Sequence, residues 1–326
     1  MVTHIKIILD EVLKRYMEDP SVLCMQAVEC HETNPKRAVE LFTRASELGS
    51  AEGFFGLAEM KINGMGTEKD IPGAVDLYRK SAELGNSPAM FRLGCMYTGS
   101  YGYPEDKGQC RYWFEKAAEH GIELAYPEIA AIYFYGYGTE TDPVKAFRYY
   151  LKSAEAGDPE SMFMIGYMMT EGVGTEKDEK GAAEWFGKAA YKGIPEAQFR
   201  MARAAEDGLI EGGDKVAFQW YTLASNQGFA PAKFNLATMY YEGRGVESNM
   251  EKAFNLYEEV AATDDADALF MTGRMFFEGL GTPQDTEVAM RRFSRAAELG
   301  NQMAIEFLSD LRRKQNTQFI KIDGLE

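Results

Sequence analysis

The chain has 326 residues, of which 45% are hydrophobic and 26% are charged. This composition suits a folded protein and lacks the low hydrophobicity that is typical of disordered chains. The 35 Lys and Arg residues are outnumbered by 51 Asp and Glu residues, which gives a net charge of −16. Because a surface of this sign repels phosphate groups, we expect neither nucleic acid nor an anionic membrane as a partner.

The first predicted element is an N-terminal capping helix over residues 1–19. Its apolar residues recur at helical spacing, at Ile5, Ile8, Leu9, Val12, Leu13 and Tyr16. The apolar run is short and is followed by Asp10 and Glu11, so we expect neither a signal peptide nor a membrane-spanning helix. A cytoplasmic location is therefore favoured, and the helix is expected to cover the core of the first repeat.

From Pro20 to about residue 300 the sequence repeats in steps of about 36 residues. The marker is a glycine after an Ala-rich stretch, as expected where a helix ends in the left-handed conformation. It occurs at Gly49, Gly85, Gly121, Gly157, Gly193, Gly228 and Gly300, with a lapse at Thr263. Residues 20–300 are thus predicted to form about eight repeats, ending near 49, 85, 121, 157, 193, 228, 263 and 300.

Each repeat is predicted to contain two helices, called A and B. Helix B follows a short polar residue that can cap its free N–H groups, at Asn34, Asp70, Asp106, Asp142, Asp178, Asn249 and Asp285. Helix A carries aromatic, aliphatic and small residues on one stripe and ends in a Gly-x-Gly turn, as at Gly136 and Gly138. Two short helices cannot bury their apolar faces alone, so the repeats are predicted to stack into an all-α solenoid.

The motif is most complete in one repeat, at Ala125, Ile129, Ala130, Tyr133, Gly136, Gly138, Asp142, Lys145, Ala146, Tyr149, Tyr150, Lys152, Ala154 and Gly157. In order and period it resembles the Sel1-like repeat, a relative of the tetratricopeptide repeat, from about Pro20 to Leu308. The resemblance implies a right-handed α/α superhelix whose A helices line a concave binding surface, and a role as scaffold or adaptor. The motif is lost at Lys61, at Ser100, and at Ala205 with Gly208, Leu209 and Ile210.

No pattern in the sequence indicates catalysis, a metal or a cofactor. The four cysteines and three histidines show neither disulfide nor ligand spacing, and the Gly-x-Gly turns follow helices instead of the strands that precede phosphate-binding loops. Cys110 replaces a small core residue, and Cys95 lies on a face where it could react. We therefore expect a protein that is not an enzyme and binds another protein.

The candidate binding residues are those on helix A that the repeat leaves variable. They are Arg92, Glu128, Tyr135, Met164, Tyr167, Arg200, Arg203, Met271 and Arg274. Arg200, Arg203 and Arg274 are expected to pair with carboxylates of a partner peptide or helix, and Met164, Tyr167 and Met271 to make apolar contacts. Two alternatives stay open: a merely solvated surface with arginine stems over apolar neighbours, and an acidic inhibitor or immunity-type protein that neutralises a basic enzyme or toxin.

The C-terminal end is predicted to contain a second capping helix over residues 301–314. Residues 315–326 alternate like a strand around Phe319, Ile320 and Ile322 and are expected to form a flexible tail. The same tail could instead dock on another molecule.

Overall fold

The structure, a computed structural model, describes residues 18–323, with side chains described through residue 313. The predicted capping helix over residues 1–19 therefore lies almost wholly outside the described residues. Every regular element between residues 18 and 323 is a helix. The helices are α1 Pro20–Cys30, α2 Pro35–Glu47, α3 Ala51–Asn63, α4 Ile71–Glu83, α5 Ser87–Met96, α6 Lys107–Glu119, α7 Ala125–Tyr135, α8 Pro143–Glu155, α9 Pro159–Glu171, α10 Glu179–Tyr191, α11 Pro195–Glu206, α12 Gly213–Asn226, α13 Ala230–Glu242, α14 Met250–Ala261, α15 Ala266–Glu278, α16 Thr286–Glu298 and α17 Gln302–Asp323.

The described residues divide into two compact lobes. The N-terminal lobe comprises residues 18–161 and 173–176, and the C-terminal lobe comprises residues 162–172 and 177–323. In each lobe, helices that follow one another in the chain pack side by side. Odd-numbered helices are the predicted A helices and even-numbered helices the predicted B helices. The predicted limits of the repeat array, 20–300, stay a prediction.

The polar residues predicted to cap the B helices do so. Each accepts a hydrogen bond from the backbone N–H three residues later, as at Asp142 (2.9 Å to Lys145 N) and Asn249 (2.9 Å to Lys252 N). The same residues donate their own N–H to a carbonyl in the preceding A helix, as Asp142 does to Tyr133 at 2.9 Å. The cap therefore starts helix B and also fastens it to helix A. The one exception among the full repeats is α12, which Gly212 precedes without any side-chain cap.

The core is a series of aromatic pairs that join helix A to helix B of the same repeat. Six pairs have ring centroids between 5.1 and 5.7 Å apart: Phe55 with Tyr78, Phe91 with Phe114, Phe163 with Phe186, Phe199 with Tyr221, Phe234 with Tyr257, and Phe270 with Phe293. Burial of large aromatic rings contributes most of the stability of such small units.

The small residue on helix A decides which aromatic residue follows on helix B. Gly94, Gly166 and Gly273 lie under Phe114, Phe186 and Phe293, and a Cβ on Gly94 would approach the Phe114 ring to 2.6 Å. Where the small residue is alanine, as at Ala202 and Ala237, the aromatic residue is a tyrosine, Tyr221 or Tyr257. These buried hydroxyls bond to Glu206 and Thr238, each at 2.7 Å, which satisfies their hydrogen-bonding need.

Two helix ends differ from the sequence-based expectation. The left-handed residue at the lapse is Asp264 (φ 61°) and not Thr263, so the period of 36 residues continues through the lapse. Asp264 makes an ion pair of 2.7 Å with Arg295, one repeat later. The last helix, Gln302–Asp323, continues beyond the predicted end at residue 314 and includes most of the predicted tail. The flexibility of residues 315–326 stays a prediction.

Candidate partner-binding surface

In the N-terminal lobe, Arg92 is held by a glutamate from the preceding repeat. Its Nε lies 2.8 Å from Glu59 Oε1, and the same carboxylate accepts the Tyr78 hydroxyl at 2.6 Å. The tyrosine is fully buried, so this network ties a surface arginine to the core. Arg92 is thus engaged within the chain before any partner binds.

Glu128 and Tyr135, the other candidates in this lobe, are exposed. Tyr135 is 70% exposed, and its ring packs edge-on against Phe134 with centroids 4.9 Å apart. Desolvation raises the pKa of Glu128, and the nearby Asp158 carboxylate adds to the effect. A positively charged group near Glu128 would favour the ionised carboxylate and so oppose both effects on the pKa.

Cys95 is half-buried on α5 and interacts electrostatically with Glu128 and Arg92. Burial raises the pKa of its thiol to about 11, and the Glu128 carboxylate adds to the rise. The thiolate is the reactive form, so two units of pKa above the ordinary value lower its population about 100-fold at pH 8. The buried Cys110, with a pKa raised to about 12, fills the core as the sequence predicts.

We expect iodoacetamide to alkylate Cys95 about 100-fold more slowly in the native chain than in the urea-unfolded chain at pH 8. Mass spectrometry of tryptic peptides after timed quenching measures both rates. Equal rates in the two states would show that Cys95 is accessible and ionised, contrary to its burial.

In the C-terminal lobe, the structure brings Arg200 and Arg203 together on one edge of α11. Arg203 lies 3.7 Å from Glu206, a carboxylate that already binds Arg244 at 2.9 Å and the Tyr221 hydroxyl at 2.7 Å. Arg203 is therefore only loosely held. Arg200 is exposed and has no hydrogen-bond or ion-pair partner among the described residues.

The remaining candidates are more involved in the fold. Arg274 bonds to Glu278 at 3.0 Å and lies 5.8 Å from the centre of the Tyr241 ring, and these contacts raise its pKa. Met271 packs against the core cluster around Tyr257. Met164 and Tyr167 are half-buried on α9.

Arg200 and Arg203 border a cleft of about 380 Å³ between α9, α10 and α11. Its apolar lining comes from Ala182, Ala183, Phe186, Ala204 and Leu209, and its rim also contains Thr170, Glu179 and Asp207. The cleft lies at the fifth full repeat, which lacks the Gly-x-Gly turn, as the second full repeat does at Ser100.

The cleft coincides with one missing large side chain, at Ala204. At the position of Ala204 the other full repeats have a buried Met or Ile, namely Met60, Met96, Ile132, Met168, Met239 and Met275. At the next position, Ala205 replaces a larger residue such as Tyr97, Tyr133, Tyr240 or Phe276. The departure at Ala205 is among those predicted from the sequence, whereas Ala204 is not, although the gap in the methionine series reveals it. Ala204 lines the cleft, and Ala205 is buried in the core cluster around Tyr221.

Comparison with known proteins identifies the repeat. Eight segments match the Sel1 repeat model, at residues 30–50, 54–86, 87–122, 124–158, 159–194, 195–229, 230–262 and 266–301. The chain belongs to the Sel1 repeat family. The predicted fold class, an all-α solenoid of about eight helix-turn-helix repeats, is thereby confirmed. Sel1 repeat proteins generally mediate protein–protein interactions as scaffolds.

Solved structures agree with this Sel1 assignment. A Sel1 repeat protein from Oxalobacter formigenes is 26% identical, with a TM-score of 0.70 over 91% of this chain and 88% of that one. The protective antigen c5321 of uropathogenic Escherichia coli shares the fold at 23% identity and a TM-score of 0.66, over 91% of this chain and 72% of that one.

A curated relative is similar over a short segment. The chitin synthase regulator SKT5 of Saccharomyces cerevisiae is 39% identical over 56 residues, which are 17% of this Sel1 chain and 8% of SKT5. The similarity thus covers little more than one repeat and supports the repeat assignment alone.

The described residues contain neither a candidate membrane-spanning helix nor a candidate metal site. None of these helices combines the length and hydrophobicity needed to cross a bilayer. Likewise, no group of three or more His, Cys, Asp or Glu side chains within residues 18–313 is arranged to hold a metal ion.

Proposed function

We propose that this Sel1 repeat protein is a scaffold or adaptor that binds a segment of another protein on the exposed faces of its A helices. The observation that carries the proposal is Arg200, an exposed guanidinium without an acidic partner among residues 18–313, in a chain of net charge −16. In the same lobe Arg203 and Arg274 already contact glutamates, so Arg200 is the most available of the three candidate arginines there. Arginine is enriched in the cores of protein interfaces.

Arg200 and Arg203 are the primary anchors for the partner, and Arg274 and Met271 have a secondary role. An unpaired guanidinium can bind a carboxylate without first breaking an internal ion pair. A residue such as Arg92 would have to leave Glu59, which offsets part of the gain. The other candidates, Glu128, Tyr135, Met164 and Tyr167, would extend the contact along neighbouring A helices.

Reversing the charge at the anchors is expected to weaken partner binding at least tenfold, since an attraction becomes a repulsion. The partner is first captured from native lysate and identified by mass spectrometry. The purified partner is then titrated by calorimetry against the wild-type chain and the double variant Arg200→Glu, Arg203→Glu. The control is Arg148→Glu, which changes an exposed arginine of α8 that has no ion-pair partner in the described part of the chain. Unchanged affinity in the double variant would remove the proposal.

A second candidate function follows from the net charge of −16. An acidic inhibitor or immunity-type protein would bind a basic enzyme or toxin by broad electrostatic attraction. The same calorimetry distinguishes the two. Steep loss of affinity with added salt, together with tighter binding after charge reversal at Arg200 and Arg203, would favour the inhibitor.

A further inference from the structure

The cleft beside Arg200 and Arg203 lies where this repeat lacks a large side chain that the other full repeats have. In the six other full repeats, a Met or Ile at the Ala204 position is at most 5% exposed and fills the space between neighbouring helices. Here Ala204 takes that position and lines a cleft of about 380 Å³. Water against Phe186, Ala182 and Ala183 is readily displaced by an apolar group.

We propose that this cleft takes a large apolar side chain, of Met, Phe or Tyr size, from an extended segment of a partner protein. A carboxylate next to that side chain in the segment pairs with Arg200. The partner thus supplies the side chain that the other repeats supply for themselves. The inference rests on the proposed function and names the chemistry that one of its sites recognises.

The charges on the rim favour a peptide over a simple anion. Arg200 and Arg203 are accompanied by Glu179 and Asp207, so the rim carries two cations and two anions. A polyanion such as nucleic acid would be repelled by the two carboxylates as well as by the net charge. A single acidic residue beside an apolar one in the partner segment can pair with the guanidinium of Arg200. The Glu179 and Asp207 carboxylates then face solvent or a basic residue of the same segment.

The neighbouring turn supports a site on this repeat. The sequence Gly208, Leu209, Ile210 replaces the Gly-x-Gly turn, and Leu209 is 49% exposed on the wall of the cleft. Ile210 packs instead on the core cluster around Tyr221. The turn is therefore held in place by Ile210, and Leu209 is left exposed to a group that enters the cleft.

The test fills the cleft from within. Ala204→Met restores the residue of the other repeats and should raise the melting temperature by a few degrees, because a buried methionine replaces water. A displayed library of random 12-residue peptides is selected on the wild-type chain, and the best binder is synthesised with a C-terminal amide, so that its only carboxylates are side chains. We expect the selected peptides to share an Asp or Glu next to Met, Phe or Tyr.

Calorimetry with that peptide gives the decisive comparison. Ala204→Met and Arg200→Gln should each weaken binding at least tenfold, and Arg148→Gln should leave it within about twofold. Peptides with Asn for the acid or Ala for the apolar residue should lose affinity by similar factors. Equal binding by wild type and Ala204→Met, or selection that enriches no such pair, would overturn the inference.

The outcome is separable from that of the proposed function. If partner affinity falls on charge reversal at Arg200 and Arg203 but is untouched by Ala204→Met, the scaffold function stands and the cleft inference is wrong. Arg200→Gln alters only an exposed side chain, so the test does not depend on how well Ala204→Met folds.

Discussion

Replacement of Gly281 by alanine is expected to destabilise the seventh full repeat by about 3 kcal/mol. Gly281 has a left-handed backbone (φ 69°), which costs alanine about 1 kcal/mol. In addition, a Cβ at this position would overlap the backbone carbonyl oxygen of Met250, at the start of α14. That oxygen is part of the backbone, so relief requires α14 or the turn to move, which adds roughly 1–3 kcal/mol.

The matched control is Gly300→Ala in the same lobe. Gly300 is also left-handed (φ 92°), but a Cβ there would meet no atom within 4 Å. We expect its loss to be about 1 kcal/mol, from conformation alone. Urea unfolding followed by circular dichroism compares the two variants, and hydrogen exchange of α14 and α15 shows where the loss falls. Equal losses would mean that the close approach at Gly281 does not constrain the turn.

Phe114→Ala is expected to cost about 3–5 kcal/mol. The ring is 1% exposed, lies 5.5 Å from the Phe91 ring and covers Gly94, so its removal leaves a cavity that two helices line. Because stability in a repeat protein is a sum over neighbouring units, the loss should appear first in α5 and α6. Hydrogen exchange by mass spectrometry of these two helices measures it.

Tyr112→Ala provides the comparison on the same helix. Tyr112 is 47% exposed and contacts Trp113 with ring centroids 5.0 Å apart, so its loss should cost less than about 1 kcal/mol. If Tyr112→Ala proved as damaging as Phe114→Ala, the division of α6 into a core face and an outer face would be wrong.

The lapses in the repeat are more informative about binding than its regular positions. Ala204 and Ala205 replace large residues in the same helix that carries the unpaired Arg200. In the other full repeats a buried Met or Ile stands at the Ala204 position, and here Ala204 lines the cleft. We therefore place the partner's anchor in that cleft.

The capped helices and the turn glycines follow from the sequence. Each depends on residues within one repeat, and the same pattern recurs in several repeats. The cap at Asp142 is an example in which short-range chemistry and periodicity agree. For this reason the helices and the fold class could be predicted without coordinates.

The tertiary structure alone decided which surface arginines are free. Arg92 pairs with Glu59 and Arg244 pairs with Glu206, partners 33 and 38 residues away on the preceding repeat. The repeat pattern constrains neither member of such a pair. The sequence therefore gives the charged residues but does not show which of them form ion pairs. The cleft at Ala204 arises in the same way, because an empty space exists only between helices of neighbouring repeats that have already packed.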